Sequence, residues 1–215
     1  LLFNDQARVF NNQSYYCNKP FRSKDYIKYW NSEKEKCQEG VLYYGKKNIF
    51  YLTRDYYMWL NFLPIFDKEE KKYGFAKVRD AQYHMALYEL LAELYHKHVA
   101  ILKKRQIASS YFHMAKVLNQ FWFEEGSICK IGASLKDYIN DKGSWKFLEE
   151  YKTFLNEHTA WYRPTNPAKV LLWEQKIEVR VNNRKTHKGL MSKIQGASFE
   201  KNPTTGVGGP CTYFF

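Results

Sequence analysis

The chain has 215 residues and a formal net charge of +12, from 34 Lys and Arg against 22 Asp and Glu. That length suits one good-sized domain, or one domain with an added N-terminal subdomain, and 45% hydrophobic and 18% aromatic content exclude disorder as the expected state. Charged residues interrupt every hydrophobic run before the ~18 residues a membrane span needs, and Leu1 to Phe10 lack a basic start followed by an apolar block. The expectation is a soluble intracellular protein.

Cys17, Cys37, Cys129 and Cys211 stand far apart with no C-x-x-C pair, which argues against a zinc ribbon or a disulfide framework and for reduced thiols. His96 and His98 have no neighbouring Cys or second His pair, and read as surface histidines at a helix end. The basic balance favours polyanions through counterion release, although charges spread along the whole chain also describe a plain solvated surface.

In chain order, Asn11-Asn12-Gln13 reads as a loop. Ser23 offers an N-cap, with Asp25 in the first turn, for a helix through Tyr26, Tyr29 and Trp30 that stops near Gly40. Thr53 caps a segment through Tyr56-Tyr57-Met58-Trp59-Leu60, and Phe62 to Phe66 reads as a short strand before a charged turn over Asp67 to Lys72. From Arg79 to His96, Met85, Leu87, Tyr88, Leu91, Leu94 and Tyr95 recur at helical spacing. Val99 to Leu102 is a short continuous apolar run, as in a strand covered on both faces. Tyr111 to Phe123 is helical with Met114, Val117, Leu118 and Phe121 on one side. Ser127 to Ile131 is a strand ending at Gly132, and Leu135 to Leu155 a helix broken near Gly143. Ile177 to Val181, Gly189 to Ala197 and the start at Thr212 to Phe215 read as strands, with a turn-rich loop over Lys201 to Pro210. Alternation of strand and helix from about residue 99 predicts an α/β domain with a largely parallel sheet.

The segment Val99 to Lys116 carries the chemistry. Strand, tight loop and helix N-terminus make an anion site, because free backbone N–H groups and the positive helix end converge there. Ser109 and Ser110 are placed to cap the helix, and a hydroxyl there to reach a nucleotide-bound magnesium. The pattern G-x-x-x-x-G-K-[ST] is absent: its second glycine falls at Ala108 and its lysine at Ser109. By pattern alone an ordinary capped βα turn is the better reading.

The surrounding residues resemble the large terminases of phages. Arg105-Gln106-Ile107-Ala108-Ser109-Ser110 resembles the family's deviant P-loop, with its Arg-Gln pair, carrying two substitutions. Arg79-Asp80-Ala81-Gln82 resembles the family's adenine-reading glutamine motif at a helix start, and a glutamine amide both donates to and accepts from an adenine edge. Gly206-Val207-Gly208-Gly209 into Thr212 to Phe215 is similar to the approach to a Walker B strand, and the aromatic block Thr53 to Phe66 to the N-terminal part of some terminases. The resemblance spans roughly residues 50–215.

It implies a P-loop NTPase-like α/β fold, mostly parallel and flanked by helices, over residues 76–215, with a helical and aromatic N-terminal region over 1–75. The implied activity is the ATPase motor that packages double-stranded DNA into procapsids, with ATP and Mg2+ as cofactors. The implied partners are the portal, the small terminase subunit and other copies in a ring, in the host cytoplasm of a virus-encoded protein. Arg105 would contact phosphates as an arginine finger in cis, with Lys103, Lys104, Gln106, Ala108 and Ser109 around them. Ser110 would face magnesium and Gln82 would read the base. The family's P-loop lysine has no equivalent, so Lys103 or Lys104 would have to swing in. The chain reaches Phe215 before an acidic pair or a nuclease domain, so residues 1–215 alone are expected to hydrolyse ATP poorly.

Three other readings stay open. One is a degenerate P-loop module that binds DNA or a capsid partner without turnover. Another is a helicase-like ATPase, disfavoured because helicases keep the lysine. The third is a docking role for the aromatic block (Tyr43, Tyr44, Phe50, Tyr51, Tyr56, Tyr57), weighed against plain core packing. Trp145, Trp161 and Trp173 likewise read as core or groove-lining residues before base-stacking platforms.

Overall fold

A computed structural model describes residues 3–67, 71–103, 108–140, 143–161, 166–169, 171–181, 184–200 and 211–214. The N-terminal half is helical around one hairpin: α1 (Asp5–Gln13), α2 (Lys24–Glu39), β1 (Val41–Tyr44), β2 (Ile49–Leu52) and α3 (Arg54–Phe62), then the small hairpin β3 (Ile65–Asp67) and β4 (Lys72–Gly74). α4 (Asp80–Leu94) and α5 (Ser109–Phe123) follow. Beyond them come β5 (Ile128–Ala133), a 3-10 turn (Lys136–Tyr138), α6 (Ser144–His158), β6 (Asn166–Lys169) and β7 (Leu172–Glu174). The remaining strands are β8 (Ile177–Val181), β9 (Arg184–Lys188), β10 (Lys193–Ser198) and β11 (Tyr213–Phe214).

Local chemistry sets the boundaries that the sequence announces. Ser23 Oγ accepts from the Tyr26 amide at 3.1 Å to start α2, and Gly40, at φ 80°, ends it with its N–H on the Lys36 carbonyl at 3.0 Å. A Cβ on Gly40 would run into the Tyr51 hydroxyl and the Leu52 carbonyl, so glycine serves both conformation and space. Thr53 caps α3 in the same way, accepting from the Tyr56 amide. Asn11-Asn12-Gln13, expected as a loop, is instead the last turn of α1. Phe10 holds that turn down, its ring packing on Tyr16 at 4.7 Å and Phe154 at 5.2 Å.

The core lies where two helices are buried nearly all round. Eight of the nine residues of α3 and thirteen of the fifteen of α5 are buried, so neither helix has a solvent face. α5 lies between α3 and a sheet in the order β11-β5-β10-β7-β6. One continuous cluster joins Tyr56, Trp59 and Phe62 of α3 to Phe112, Phe121 and Trp122 of α5 and to Cys129 and Ile194 of the sheet. Trp145, Trp161 and Trp173 are buried in it. Of the N-terminal aromatic block, Tyr56 and Tyr57 are core, whereas Tyr44 is 70% exposed.

The sheet is mixed rather than largely parallel. β5 pairs in parallel with β10 and β11, but β7 pairs antiparallel with both β10 and β6. The cause is the connection: β7 and β10 are joined through the β8–β9 hairpin rather than through a crossover helix, and such a connection returns the chain antiparallel. Val99 to Leu102 is not a strand; Leu102 is fully exposed and the run is too short and too flanked by Lys97, His98 and Lys103 to be covered.

α4 is a helix as the spacing predicts, but it faces the other way. It buries Gln82, Ala86 and Glu89 and leaves Tyr88, Leu91, Leu94 and Tyr95 exposed. Glu89 faces inward because its charged partners lie on α5. The break at Gly143 holds: Gly143 separates the 3-10 turn from α6, and a Cβ there would overlap the Tyr138 carbonyl. Gly143→Ala is expected to lower stability by about 1–3 kcal/mol, read as a lower denaturant midpoint at unchanged slope.

Among the described residues, no helix is long and apolar enough to cross a membrane.

Candidate functional site

A cavity of about 590 Å³ opens between the C-terminal part of α4, the segment that follows it, the N-terminal half of α5 and β11. Its polar lining includes Glu89 and Glu93 from α4, Lys103, and Ser109, His113 and Lys116 from α5. The spacings explain the convergence: Glu89 and Glu93 are one turn apart, and Ser109, His113 and Lys116 occupy one stripe of α5.

Lys116 is the centre of the charge. It is 2% exposed, and its Nζ lies 2.5 Å from Glu93, 2.9 Å from Glu89 and 4.0 Å from Asp55. Burial pushes its ammonium group down, and the carboxylates of Asp55, Glu89 and Glu93 outweigh that, leaving it above the ordinary lysine value. Burial likewise pushes the Glu89 carboxyl up. Hydrogen bonds and charge from His113 and Lys116 overcome this and hold it below the usual value. Arg54 links the outer edge, donating to Glu93 at 3.2 Å and to Glu124. Lys116 also sits 4.9 Å above the Tyr213 ring, which ties the cluster to β11.

His113 joins the cluster to the start of α5. Its Nε2 meets Glu89 at 2.8 Å, and its Nδ1 meets the Ser109 carbonyl at 2.7 Å and the Ser109 hydroxyl at 3.0 Å. Ser109 therefore spends its side chain one turn along its own helix and caps nothing. The N-cap position is Ala108, held left-handed at φ 53° with no side-chain cap. This corrects the expectation that Ser109 and Ser110 cap the helix. Among the described residues no side chain caps the first N–H groups of α5.

The orientation of α5 against the sheet is fixed by two contacts. Ser127 Oγ donates to the Gln120 carbonyl at 3.0 Å, and Cys129 Sγ lies 3.9 Å from the Val117 carbonyl. As β5 advances, α5 runs back, so the start of α5 lies at the C-terminal end of the parallel strands β5, β10 and β11.

Of the residues singled out from sequence, Lys103 and Ser109 line this cavity. Ala108 precedes α5, and Ser110 lies in its first turn outside the lining. Gln82 is buried on the face of α4 that carries Glu89, two turns away and roughly 10 Å along the axis, also outside the lining. Lys104, Arg105 and Gln106 lie outside the described residues. Sequence reasoning passed over Glu89, Glu93, His113, Lys116 and Asp55. Their signal was polar residues at i, i+4 and i+7 inside otherwise apolar helices, where a charge can stay only with a partner.

The four cysteines are free thiols, and burial raises the Cys37 and Cys129 thiols above the usual range. Among the described residues no group of three or more His, Cys, Asp or Glu is placed to hold a metal. No family model, no curated protein and no solved structure matches this chain.

Proposed function

We propose that this chain is the nucleotide-binding motor region of a large terminase, taking the triphosphate of Mg2+-ATP at the start of α5. One observation carries the reading. The N-terminus of α5, where no described side chain caps the helix, borders a cavity of about 590 Å³ that Lys103 and residues 211–214 along β11 also line. Open α/β sheets take their ligands at the C-terminal ends of their strands, and helix N-termini take phosphates. The order of the motifs along the sequence supports the same reading: Arg105-Gln106 precedes α5 by two residues, and the run Gly206-Val207-Gly208-Gly209 into Thr212 to Phe215 resembles the approach to a Walker B strand. Catalysis in such a site is positioning and charge neutralisation. Lys103 and Arg105 would supply the positive charge that Ser109, buried and bonded to His113, cannot. Gln82 carries no weight here, since it lies outside the cavity. DNA, portal, small terminase subunit and neighbouring copies follow as partners from the resemblance alone.

The buried Ser109 favours a second reading, a module of this shape that binds DNA or a capsid partner without ATP. Calorimetric titration with ATP and magnesium separates the two. The motor reading expects saturable, magnesium-dependent binding that Arg105→Ala weakens at least tenfold, about 1.4 kcal/mol. Absence of binding by the unaltered chain removes the ATP reading and leaves the second.

A further inference from the structure

β8 and β9 form a two-stranded antiparallel ribbon, with Ile177 opposite Lys188, Val179 opposite Thr186 and Val181 opposite Arg184. It is inserted between β7 and β10, and the ladder continues beneath it. The Gln175 amide donates to the Ser192 carbonyl at 2.9 Å, and the Met191 amide to the Gln175 carbonyl at 3.0 Å. Gln175 is buried and its side chain donates to the Phe121 carbonyl of α5 at 2.8 Å. The ribbon is thus anchored in the core at its base, and its five-residue strands reach roughly 15 Å further.

Its charges do not favour its own folding. Residues 176–188 carry Lys176, Arg180, Arg184, Lys185 and Lys188 against Glu178 alone, so 5 − 1 gives +4 of the chain's +12. Arg180 stands directly opposite Lys185, and like charges opposed across a strand pair are destabilising. Every residue of β9 is exposed, in a hairpin type that is marginal by itself. Of Arg180, Arg184, Lys185 and Lys188, only Lys185 pairs with a described carboxylate, Glu178 at 3.0 Å. Such a concentration of cations is stabilised by an anion.

The two faces say which anion. Strand alternation puts Arg180 and Lys185 on one face and Arg184 and Lys188 on the other. A flat acidic protein or an anionic membrane would neutralise one face and strand the other. The major groove of B-form DNA, about 12 Å wide, admits a two-stranded ribbon and sets a phosphate wall beside each face. The deep, narrow major groove of duplex RNA does not. Residues 176–188 include no Phe, Tyr or Trp to serve as a stacking platform for single-stranded bases or to enter a bilayer. We infer that the β8–β9 ribbon is a groove-inserting contact for double-stranded DNA, held through the phosphates and indifferent to sequence. This names the DNA-contacting element of the proposed motor, yet it stands without the nucleotide site.

The test is fluorescence anisotropy of a labelled, mixed-sequence DNA duplex of about two helical turns, titrated with the full chain over a range of salt. The variant Arg180→Gln/Arg184→Gln/Lys185→Gln/Lys188→Gln is expected to bind at least tenfold more weakly. Its slope of log affinity against log salt should be shallower by about 3–4, near 0.9 for each phosphate contact removed. A control that removes four exposed lysines elsewhere, Lys24, Lys28, Lys46 and Lys47 to Gln, should change the slope by less than about 1. The milder Arg184→Gln/Lys188→Gln pair should lose about half as much slope as the quadruple variant, which keeps the test valid if the latter folds poorly. An unchanged slope in both ribbon variants overturns the inference, as does an equal loss in the control. Equal weakening on a single strand of the same length or on phosphatidylserine vesicles overturns the choice of duplex. Failure of ATP to bind leaves this result untouched.

Discussion

Lys116→Met is expected to lower the stability of the fold by about 3–5 kcal/mol at neutral pH, seen as a large drop in the denaturant midpoint. Methionine fits the apolar stem of the lysine, so the loss is not one of packing. It arises because Asp55 and Glu89, both buried, and Glu93 lose the cation 2.5–4.0 Å away that compensates their charge. A buried ion pair adds little over a well-packed apolar pair, but breaking one leaves a bare charge. The double variant Lys116→Met/Glu89→Gln should therefore be more stable than the single one. Recovery absent from that double variant would show that the cluster is not electrostatically coupled. The pH dependence has a definite sign. The Glu89 carboxyl is held below its ordinary value of 4.5 in the folded protein, so its contribution is present above that value and is lost as the pH falls through the lower, folded value. Lys116, raised above 10.5, contributes at every pH below that value. The gap between wild type and Lys116→Met should then be widest near neutrality. It should narrow on acidification, as the Glu89 carboxylate, pushed up by burial once Lys116 no longer offsets it, takes up a proton in the variant before it does in the wild type.

Trp122→Ala should cost a comparable ~3–5 kcal/mol by a different route. Trp122 is fully buried on α5, and its indole N–H donates to the Trp161 carbonyl at 2.7 Å. Trp161 in turn packs edge-on against Phe62 at 4.9 Å, Trp30 at 5.2 Å and Phe123 at 5.3 Å. Truncation empties the space between α5 and this aromatic set, and rigid rings on three elements collapse poorly into a void. Trp122→Phe keeps most of the volume and leaves the carbonyl unpaired, for which about 1–3 kcal/mol is expected. Equal losses for the two variants, measured by denaturant unfolding, would put the hydrogen bond rather than the cavity in control.

The elements that were legible in the sequence are those whose ends are written in local chemistry. Ser23, Gly40 and Thr53 announce α2 and α3 through caps that need no tertiary partner, and Gly143 announces the start of α6 because nothing larger fits under the Tyr138 carbonyl. The elements that were not legible depend on distant residues. The run Val99 to Leu102 is apolar enough for a buried strand, yet no described strand or helix covers it, and composition cannot report what lies alongside. α4 has the periodicity of an amphipathic helix, but the side it buries is chosen by Lys116 and His113 of α5. The carboxylates of Glu89 and Glu93 carry no mark in the sequence of the partners that hold them. The antiparallel turn of the sheet came from a hairpin whose second strand, Arg184–Lys188, has no apolar residue to advertise it.

The place of the basic ribbon in the sheet has a mechanical meaning. β10, which leaves the ribbon, is hydrogen-bonded on one side to β5 over six residue pairs and on the other to β7 over three. A pull on the ribbon along its length draws β7 and β10 together and loads the β10–β5 bonds in shear, rather than peeling them one at a time from an edge. The pull passes from β10 into β5, and through Gln175 into the back of α5. Tension applied far out on the ribbon is thus delivered to the helix whose other end faces the cavity.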